Sequence, residues 1–288
     1  MGANLARHWM ERGWRVIGWN RTFTVAEGMA AEGLVPARTP QDLVAALGAP
    51  RTVWLMLPAG APTDEAVAEL AELLAPGDTV VDGGNTHYAD DAGHAAALAA
   101  EGIRFLDCGT SGGPGGARAG ACLMIGGDRA AFAELEPLFK DAAVPDGYRF
   151  FGGAGAGHFV KMVHNGIEYG MMQAIAEGFA VMKAAPFQLD LARVADVYQH
   201  RSVVESRLVG WMKSAFETYG PDMEGVTGSV AHTGEGAWTV EAARHLGVPV
   251  PVIADALQFR KDSAAAPSYA GRLLSALRGQ FGGHATKA

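Results

Sequence analysis

Residues 158–173 read HFVKMVHNGIEYGMMQ, a helical rhythm that runs on without proline to residue 183. Lys161, His164, Asn165, Glu168 and Tyr169 recur at steps of three and four, so a helix puts them on one face. In a helix packed on a core that face is ordinarily apolar. Burying this one against hydrocarbon costs several kcal/mol unless every group is paired, whereas lining a wet cleft costs far less. A lysine and a glutamate seven residues apart lie about two turns, roughly 10.5 Å, from each other along the axis, which leaves room for a small substrate. A lysine acts as a base only where its surroundings bring its pKa from ~10.4 toward 7, a bias of roughly 4–5 kcal/mol. A solvated, salt-bridged face would account for Lys161 and Glu168. It would not account for His164, Asn165 and Tyr169. Met162, Val163, Ile167 and Met171, on the other side, read as core.

Two further segments have the composition of ligand loops. VVDGGNTHY at 80–88 ends an apolar run in two glycines and Asn85, which can donate and accept at once. GTSGGPGGARAG at 109–120 gathers Ser111, Gly112 and Gly113 in one turn. Glycine lets backbone approach a ligand closely, and successive exposed N–H groups form a nest for anions such as a carboxylate.

These residues need elements to hold them. WRVIGW at 14–19, TVWLML at 52–57, TVVDGG at 79–84, IRFLDC at 103–108 and ACLMIGG at 121–127 read as strands. Alanine-rich helices lie among them, as at 63–75 and 90–101. That alternation implies an α/β fold with a doubly wound parallel sheet, which binds ligands where its strands end. After the glycine-rich turn at 152–157 the chain reads as helical. We therefore expect a Rossmann-like dinucleotide-binding domain over 1–155 and an all-helical domain over 156–288, its first helix about 39 Å long.

Residues 2–12 resemble the first helix of a Rossmann unit, with Gly2 at the third glycine of the phosphate-binding fingerprint. The strand and two glycines that precede it in such a unit are not seen upstream, so a domain lacking its first strand is expected. The second strand ends at Asn20, Arg21 and Thr22. An NAD site usually carries an acid there, which would repel a 2′-phosphate, whereas amide, guanidinium and hydroxyl donate to one. NADP is the expected cofactor, with NAD as the alternative.

The chain has 288 residues, 49% hydrophobic and 19% charged, with a net charge of −8. That is enough for about two domains, and the acidity argues against nucleic-acid binding, which needs a basic footprint. Two cysteines, Cys108 and Cys122, make no disulfide framework and read as core thiols in a cytoplasmic protein. No apolar run nears the ~20 residues of a membrane span. Arg7, Glu11 and Arg12 interrupt the only candidate leader. No cluster has metal-ligand spacing.

VDGGN, GTSGGPGGARAG, GAGHFVKMVHNGIEYGMMQ, GEGAWTVEAA and RGQFGGH together resemble the decarboxylating 6-phosphogluconate dehydrogenases, in their short form, over essentially the whole chain. The resemblance implies that Lys161 is the base for the 3-hydroxyl and Glu168 the acid that protonates C1 of the enediol after CO₂ leaves. It implies that Asn85, Ser111, Gly112, Gly113, His164 and Asn165 hold substrate, and that Tyr169 and Arg260 bind its phosphate. Arg278 and His284 match tail residues given to a partner subunit's site, which implies a homodimer. Gly2, Asn20, Arg21, Thr22, Leu57, Pro58, Ala59 and Asn85 fall at cofactor positions. No metal is implied, because a β-keto acid loses CO₂ with only an electron sink and an acid.

The phosphate-binding Lys and Thr of the long family members correspond here to Thr233 and Glu235. A non-phosphorylated sugar acid is thus an alternative substrate. A related β-hydroxyacid dehydrogenase is another reading, although such enzymes usually show Asn at position 164 and lack the acid at 168. A third reading is an inactive binding module that keeps only the sugar-acid cleft.

Overall fold

Val80-Val81 and Phe105-Leu106 are consecutive apolar pairs within 79–82 and 104–108, which suits strands covered on both faces. In the computed structural model, which describes residues 1–232, 234–283 and 286–287, they are. Val80 and Phe105 point to one core with Val53, Leu70 and Leu98. Their neighbours Val81 and Leu106 point to the opposite core with Leu5, Trp9, Ile125 and Phe139. The two-residue repeat of a strand thus builds a helix–sheet–helix sandwich.

The chain divides into two compact units, Met1–Lys161 and Met162–Ala288. The first contains α1 (Gly2–Glu11), β1 (Ile17–Trp19), α2 (Phe23–Glu27), β2 (Val35–Ala37), α3 (Pro40–Ala46), β3 (Thr52–Leu55) and α4 (Ala61–Leu73). It continues with β4 (Thr79–Asp82), α5 (Asp91–Ala100), β5 (Arg104–Ser111), α6 (Gly113–Ala119), β6 (Ala121–Gly127), α7 (Arg129–Ala142) and β7 (Ala143–Gly152). The long helix α8 (Ala156–Ala184) starts in this unit and carries on into the second. Then follow α9 (Leu191–Tyr198), α10 (Arg207–Tyr219), α11 (Glu235–His245), α12 (Pro251–Asp262) and α13 (Tyr269–Gly282). Among the described residues no helix is long and apolar enough to cross a membrane.

The parallel pairing expected from the alternation is present in β1–β2 and in β3–β4–β5. β1 and β2 form a sheet of their own, separate from β3 to β7. Strand β6 departs from the expectation and runs antiparallel to β5. Only residues 112–120 connect the two, and a parallel crossover needs a dozen residues or more. Two strands escape the sequence reading. β2 is VPA, whose proline weakens the strand signal and is tolerated at an edge. β7 contains Pro145-Asp146-Gly147, which reads as a turn, and it is largely exposed and irregular in register.

The side of α8 read as core is only partly so. Met162 is buried, but Ile167 and Met171 are exposed, and the core of the second unit takes Met172, Ala176 and Phe179 instead. Those three lie a fraction of a turn around the helix from the expected face, where α9, α10 and α13 pack. Cys108 is buried as expected, whereas Cys122 is exposed on the alternate side of β6.

The start of α8 is locked onto the sheet. Both carboxylate oxygens of Asp107, in β5, accept backbone N–H groups from the helix start: Gly155 at 2.9 Å and His158 at 2.8 Å. These are donors that a helix cannot satisfy internally. The backbones cross so closely that Gly126, Gly157 and Gly109 leave no room for a side chain. A Cβ at Gly157 would lie 2.7 Å from Asp107 Oδ2, and one at Gly109 would collide with Cβ of Lys161. Asp107, Gly109 and Ser111 alternate along β5 and share a face.

His158 Nδ1 also bonds Asp91 Oδ2 at 2.8 Å, with both side chains fully enclosed. Burial raises the Asp91 carboxyl to about 6, against the bond and charge of His158. Burial raises Asp107 as well. For His158 burial alone would lower the pKa. The bond and charge of Asp91, helped by Asp82 and Asp107, outweigh it and carry the imidazole above its ordinary 6.5. The ligand atoms of Asp91, Asp107 and His158 lie within 4.8 Å of one another; both Asp107 oxygens and Asp91 Oδ2 are engaged by N–H donors, whereas Asp91 Oδ1 and His158 Nε2 are without a hydrogen-bond partner among the described residues.

Two outcomes are expected. Gly109→Ala should destabilise the fold by about 1–3 kcal/mol in chemical denaturation through overpacking, and should lower turnover by pushing Lys161 aside. Unchanged stability and activity would contradict the close crossing. A group with a raised folded pKa adds stability below its unfolded value and loses it as pH climbs through the folded one. The melting-temperature advantage of the native chain over His158→Asn should therefore shrink from pH of about 6 to about 9. A gap that stays constant across that range would exclude a charged brace.

Candidate active site

Along the carboxyl ends of β3, β4 and β5, three loops stand side by side, because these strands are parallel neighbours. The loop after β3 carries Leu57, Pro58 and Ala59, and Thr63 Oγ1 steadies it by donating to the Pro58 carbonyl at 2.9 Å. The loop after β4 carries Gly83, Gly84 and Asn85. Asp82 shapes it by accepting from Gly84 N at 2.9 Å and Thr86 Oγ1 at 2.5 Å. The two loops touch at backbone level: a Cβ on Gly84 would lie 2.7 Å from the Leu57 carbonyl oxygen. Asn85 is left exposed at the tip.

The segment after β5 is more ordered than a loop. Gly112 and Gly113 adopt φ of +118° and +63°, and α6 begins there at once. Such a backbone presents N–H groups outward and demands glycine at both positions. Gly2, at the start of α1, lies close to the same region, since Asn4 Nδ2 donates to the Pro114 carbonyl at 2.9 Å. At the end of β1, Asn20 Oδ1 accepts the Thr22 N–H at 2.9 Å, which turns the carboxamide NH₂ outward. Arg21 and Thr22 are exposed beside it. Small residues, helix N-termini and donors at strand ends suit the pyrophosphate and ribose of a dinucleotide.

In the same unit Lys161 stands over Gly109, and its side chain is only 9% exposed. One turn on, in the second unit, His164 Nδ1 lies 3.1 Å from Asn165 Oδ1 and 4.0 Å from Glu168 Oε2. His164, Asn165 and Glu168 are half-buried, whereas Tyr169 is buried.

Tyr169 opens a second cluster. The Arg260 guanidinium, from α12, stacks 3.4 Å above its ring, and its Nη2 reaches Met172 Sδ at 3.6 Å. Gly236 in α11 lets the phenol pack directly on backbone. Arg260 is 2% exposed, and burial pushes its pKa down to about 10, with neighbouring Arg278 adding to the effect. Burial lowers Arg278 too, opposed by the charges of Tyr169, Glu168 and Glu235. Tyr169 OH and Arg260 Nε are buried without a hydrogen-bond partner of normal geometry among the described residues, although the guanidinium and phenol feel each other's charge. Two desolvated guanidiniums with donors unspent call for an anion.

The sequence reading anticipated the residues of both clusters. Arg278, which the resemblance assigned to a partner's site, lies beside Arg260 of its own chain, because α13 packs into the second unit's core through Leu273, Leu274 and Leu277. His284 and Thr233 lie outside the described residues. Asp107, Asp91 and His158 were missed. Their signal was weak: His158 stands one turn before Lys161, and Asp107 alternates with Gly109 and Ser111 along the strand. Glu235 was noted only as a departure, yet it is buried close enough for Arg278 to feel its charge.

Comparison with known proteins agrees with this geometry. Residues 1–152 match the NAD binding domain of 6-phosphogluconate dehydrogenase, and residues 157–270 match the C-terminal domain of 6-phosphogluconate dehydrogenase. The NAD(+)-dependent, decarboxylating 6-phosphogluconate dehydrogenase of Haloferax volcanii is 40% identical over 99% of this chain and 94% of its own length. The decarboxylating enzyme of Lactococcus lactis is 37% identical over 90% of this chain but only 58% of its own, so the chain spans little more than half of that longer form. Among solved structures, the 6-phosphogluconate dehydrogenase of Plasmodium falciparum, studied with cofactor NADP+ and substrate 6-phosphogluconate, superposes with a TM-score of 0.83 at 26% identity, covering 96% of this chain and 68% of that one. A 3-hydroxyisobutyrate dehydrogenase of Mycobacterium tuberculosis, at 22% identity and TM-score 0.72 over 96% of both chains, shares the fold. With a nicotinamide-dinucleotide-binding first unit and both domain matches in sequence order, the chain belongs to the 6-phosphogluconate dehydrogenase family of oxidoreductases.

Proposed function

We propose that the chain catalyses the oxidative decarboxylation of 6-phospho-D-gluconate to ribulose 5-phosphate with reduction of NADP. The observation that carries the reading is one helix, α8, which holds Lys161, His164, Asn165, Glu168 and Tyr169 in a stripe that ends at the Arg260–Arg278 cluster. Lysine and glutamate two turns apart, about 10.5 Å along the axis, leave room between them for a chain-like sugar acid, with a base at its C3 hydroxyl and an acid at its C2, which becomes C1 of the enediol. A phosphate at the far end of that sugar acid would meet Tyr169, Arg260 and Arg278.

Lys161 is enclosed enough to lose most of its water, the setting a lysine base requires. In this reading it accepts the 3-hydroxyl proton as hydride leaves C3. The bound nicotinamide supplies the hydride acceptor. The 3-keto acid so formed is a β-keto acid, and its carboxyl group leaves as CO₂ while the electron pair passes toward the former 3-oxygen, which takes the proton back from Lys161 to give an enediol. Glu168 then delivers a proton to C1 of that enediol while Lys161 takes up the proton of the adjacent hydroxyl, which leaves the ketone. Asn85, Ser111, Gly112, Gly113, His164 and Asn165 orient the hydroxyls and carboxylate. Leu57, Pro58, Ala59 and the Asn20–Thr22 turn hold the dinucleotide.

Glu235 favours a second reading. A buried carboxylate near Arg278 takes up part of the positive charge that a dianionic phosphate would use, which suits a sugar acid without phosphate. A homodimer is also proposed. Exposed Val181, Phe187, Val197 and Val203 on the helical unit support it, and light scattering would test it.

A panel of sugar acids and 3-hydroxy acids, with CO₂ and reduced cofactor both measured, tests the reading. One CO₂ per hydride with 6-phosphogluconate is expected. Reduction of cofactor without CO₂ on any substrate would refute decarboxylation. Lys161→Met should abolish turnover yet leave cofactor affinity within about twofold, and residual activity above about a few per cent would remove Lys161 as the base. Glu168→Gln should slow product protonation more than hydride transfer in single-turnover measurements. Equal losses in both steps would make Glu168 merely structural.

A further inference from the structure

The arginines of the first unit differ in their partners: Arg12, Arg15, Arg129 and Arg149 lie against His8, backbone carbonyls or an aromatic ring. Arg7, Arg51, Arg104 and Arg118 are each paired with a carboxylate: Glu32, Asp78, Glu134 and Glu11. Arg21 and Arg38 are exposed and, among the described residues, have no carboxylate within 4.0 Å. In a protein of net charge −8, two uncompensated guanidiniums are notable if they are neighbours. The sheet makes them so. β1 and β2 are parallel with Trp19 opposite Ala37, so Asn20 and Arg38 leave the two strands side by side at their carboxyl ends. Arg21 follows directly.

Arg38 is also held in place. Its guanidinium carbon sits 4.0 Å from the centroid of the Phe23 ring, the first side chain after Thr22. Stacking on an aromatic face restrains a guanidinium and leaves its N–H donors, which lie in the guanidinium plane, free to fork onto an anion. The Asn20 carboxamide, with its oxygen committed to Thr22 N–H, offers its NH₂ to the same space.

We propose that Arg38 is a specificity-determining residue of the cofactor site: together with Arg21 it brackets the 2′-phosphate of a phosphorylated nicotinamide dinucleotide. This rests on the reading of the first unit's strand-end face as the dinucleotide site. It gives selectivity to a residue outside the turn where an acid-to-arginine exchange is normally sought. The 2′-phosphate carries the charge that both arginines lack, and a plain ribose would leave them unanswered.

The test uses adenosine 2′,5′-bisphosphate and adenosine 5′-monophosphate as probes of that end of the site, by calorimetric titration of the full chain. The native chain should bind the bisphosphate the more tightly. Arg38→Ala should cut that preference by about tenfold to a hundredfold, with affinity for the monophosphate kept within about twofold. Arg38→Lys, which keeps charge but neither fork nor full stacking, should fall between. The kcat/KM ratio for NADP over NAD should drop by the same factor. A preference unchanged in Arg38→Ala but lost in Arg21→Ala would overturn the role of Arg38. Equal binding of both probes by the native chain would overturn it too, and would leave the dinucleotide site standing. A folded native chain that binds neither probe would remove the dinucleotide reading of this face and the proposal with it.

Discussion

The close crossing of the start of α8 over β5 and β6 is the constraint on which the chemistry depends. A helix can approach a sheet at backbone distance only where glycines meet, and Gly109, Gly126 and Gly157 meet there. Such an approach strands helix N–H groups away from water, and each would cost free energy if left unpaired. Asp107 takes two of them. The carboxylate is itself buried and has to be balanced, so His158 and Asp91 complete a brace of charges and hydrogen bonds. Lys161 inherits its position from all of this, one turn beyond His158 and directly over Gly109.

The same economy of charge shapes the rest of the molecule. An acidic chain that handles anions has to concentrate positive charge where anions bind and cancel it elsewhere. Arg7, Arg51, Arg104 and Arg118 are neutralised by carboxylates. Arg260 and Arg278 are instead withdrawn from water and set against an aromatic ring and each other, where burial lowers their pKa values. Glu235 sets a buried carboxylate beside that cluster, close enough for Arg278 to feel its charge.

The sequence and the three-dimensional arrangement divide the explanation unevenly. Strand positions were legible where apolar residues run together, as in TVVD, and helices where alanine-rich stretches repeat. The strand VPA was hidden by its proline, and β7 by a Pro-Asp-Gly turn. The reversal of β6 lay in a connection too short for a crossover, which a strand-by-strand reading does not weigh. On α8 the polar stripe was visible, but which of the remaining sides met the core was not, because that depends on where α9, α10 and α13 pack.

By itself, the sequence determined whatever a single element fixes through its own geometry. The stripe from Lys161 to Tyr169 follows from 3.6 residues per turn, and the glycine-rich ends of β4 and β5 follow from local backbone freedom. Tertiary structure alone decided what meets across elements. Asp107 caps a helix whose His158 N–H is 51 residues away. Arg38 comes beside Asn20 through strand register, and Arg278 beside Arg260 through the packing of α13. The physical reason is that spacing along an element is set by covalent geometry. Meetings between elements are set by register, close packing and the demand that every buried charge find its counterpart.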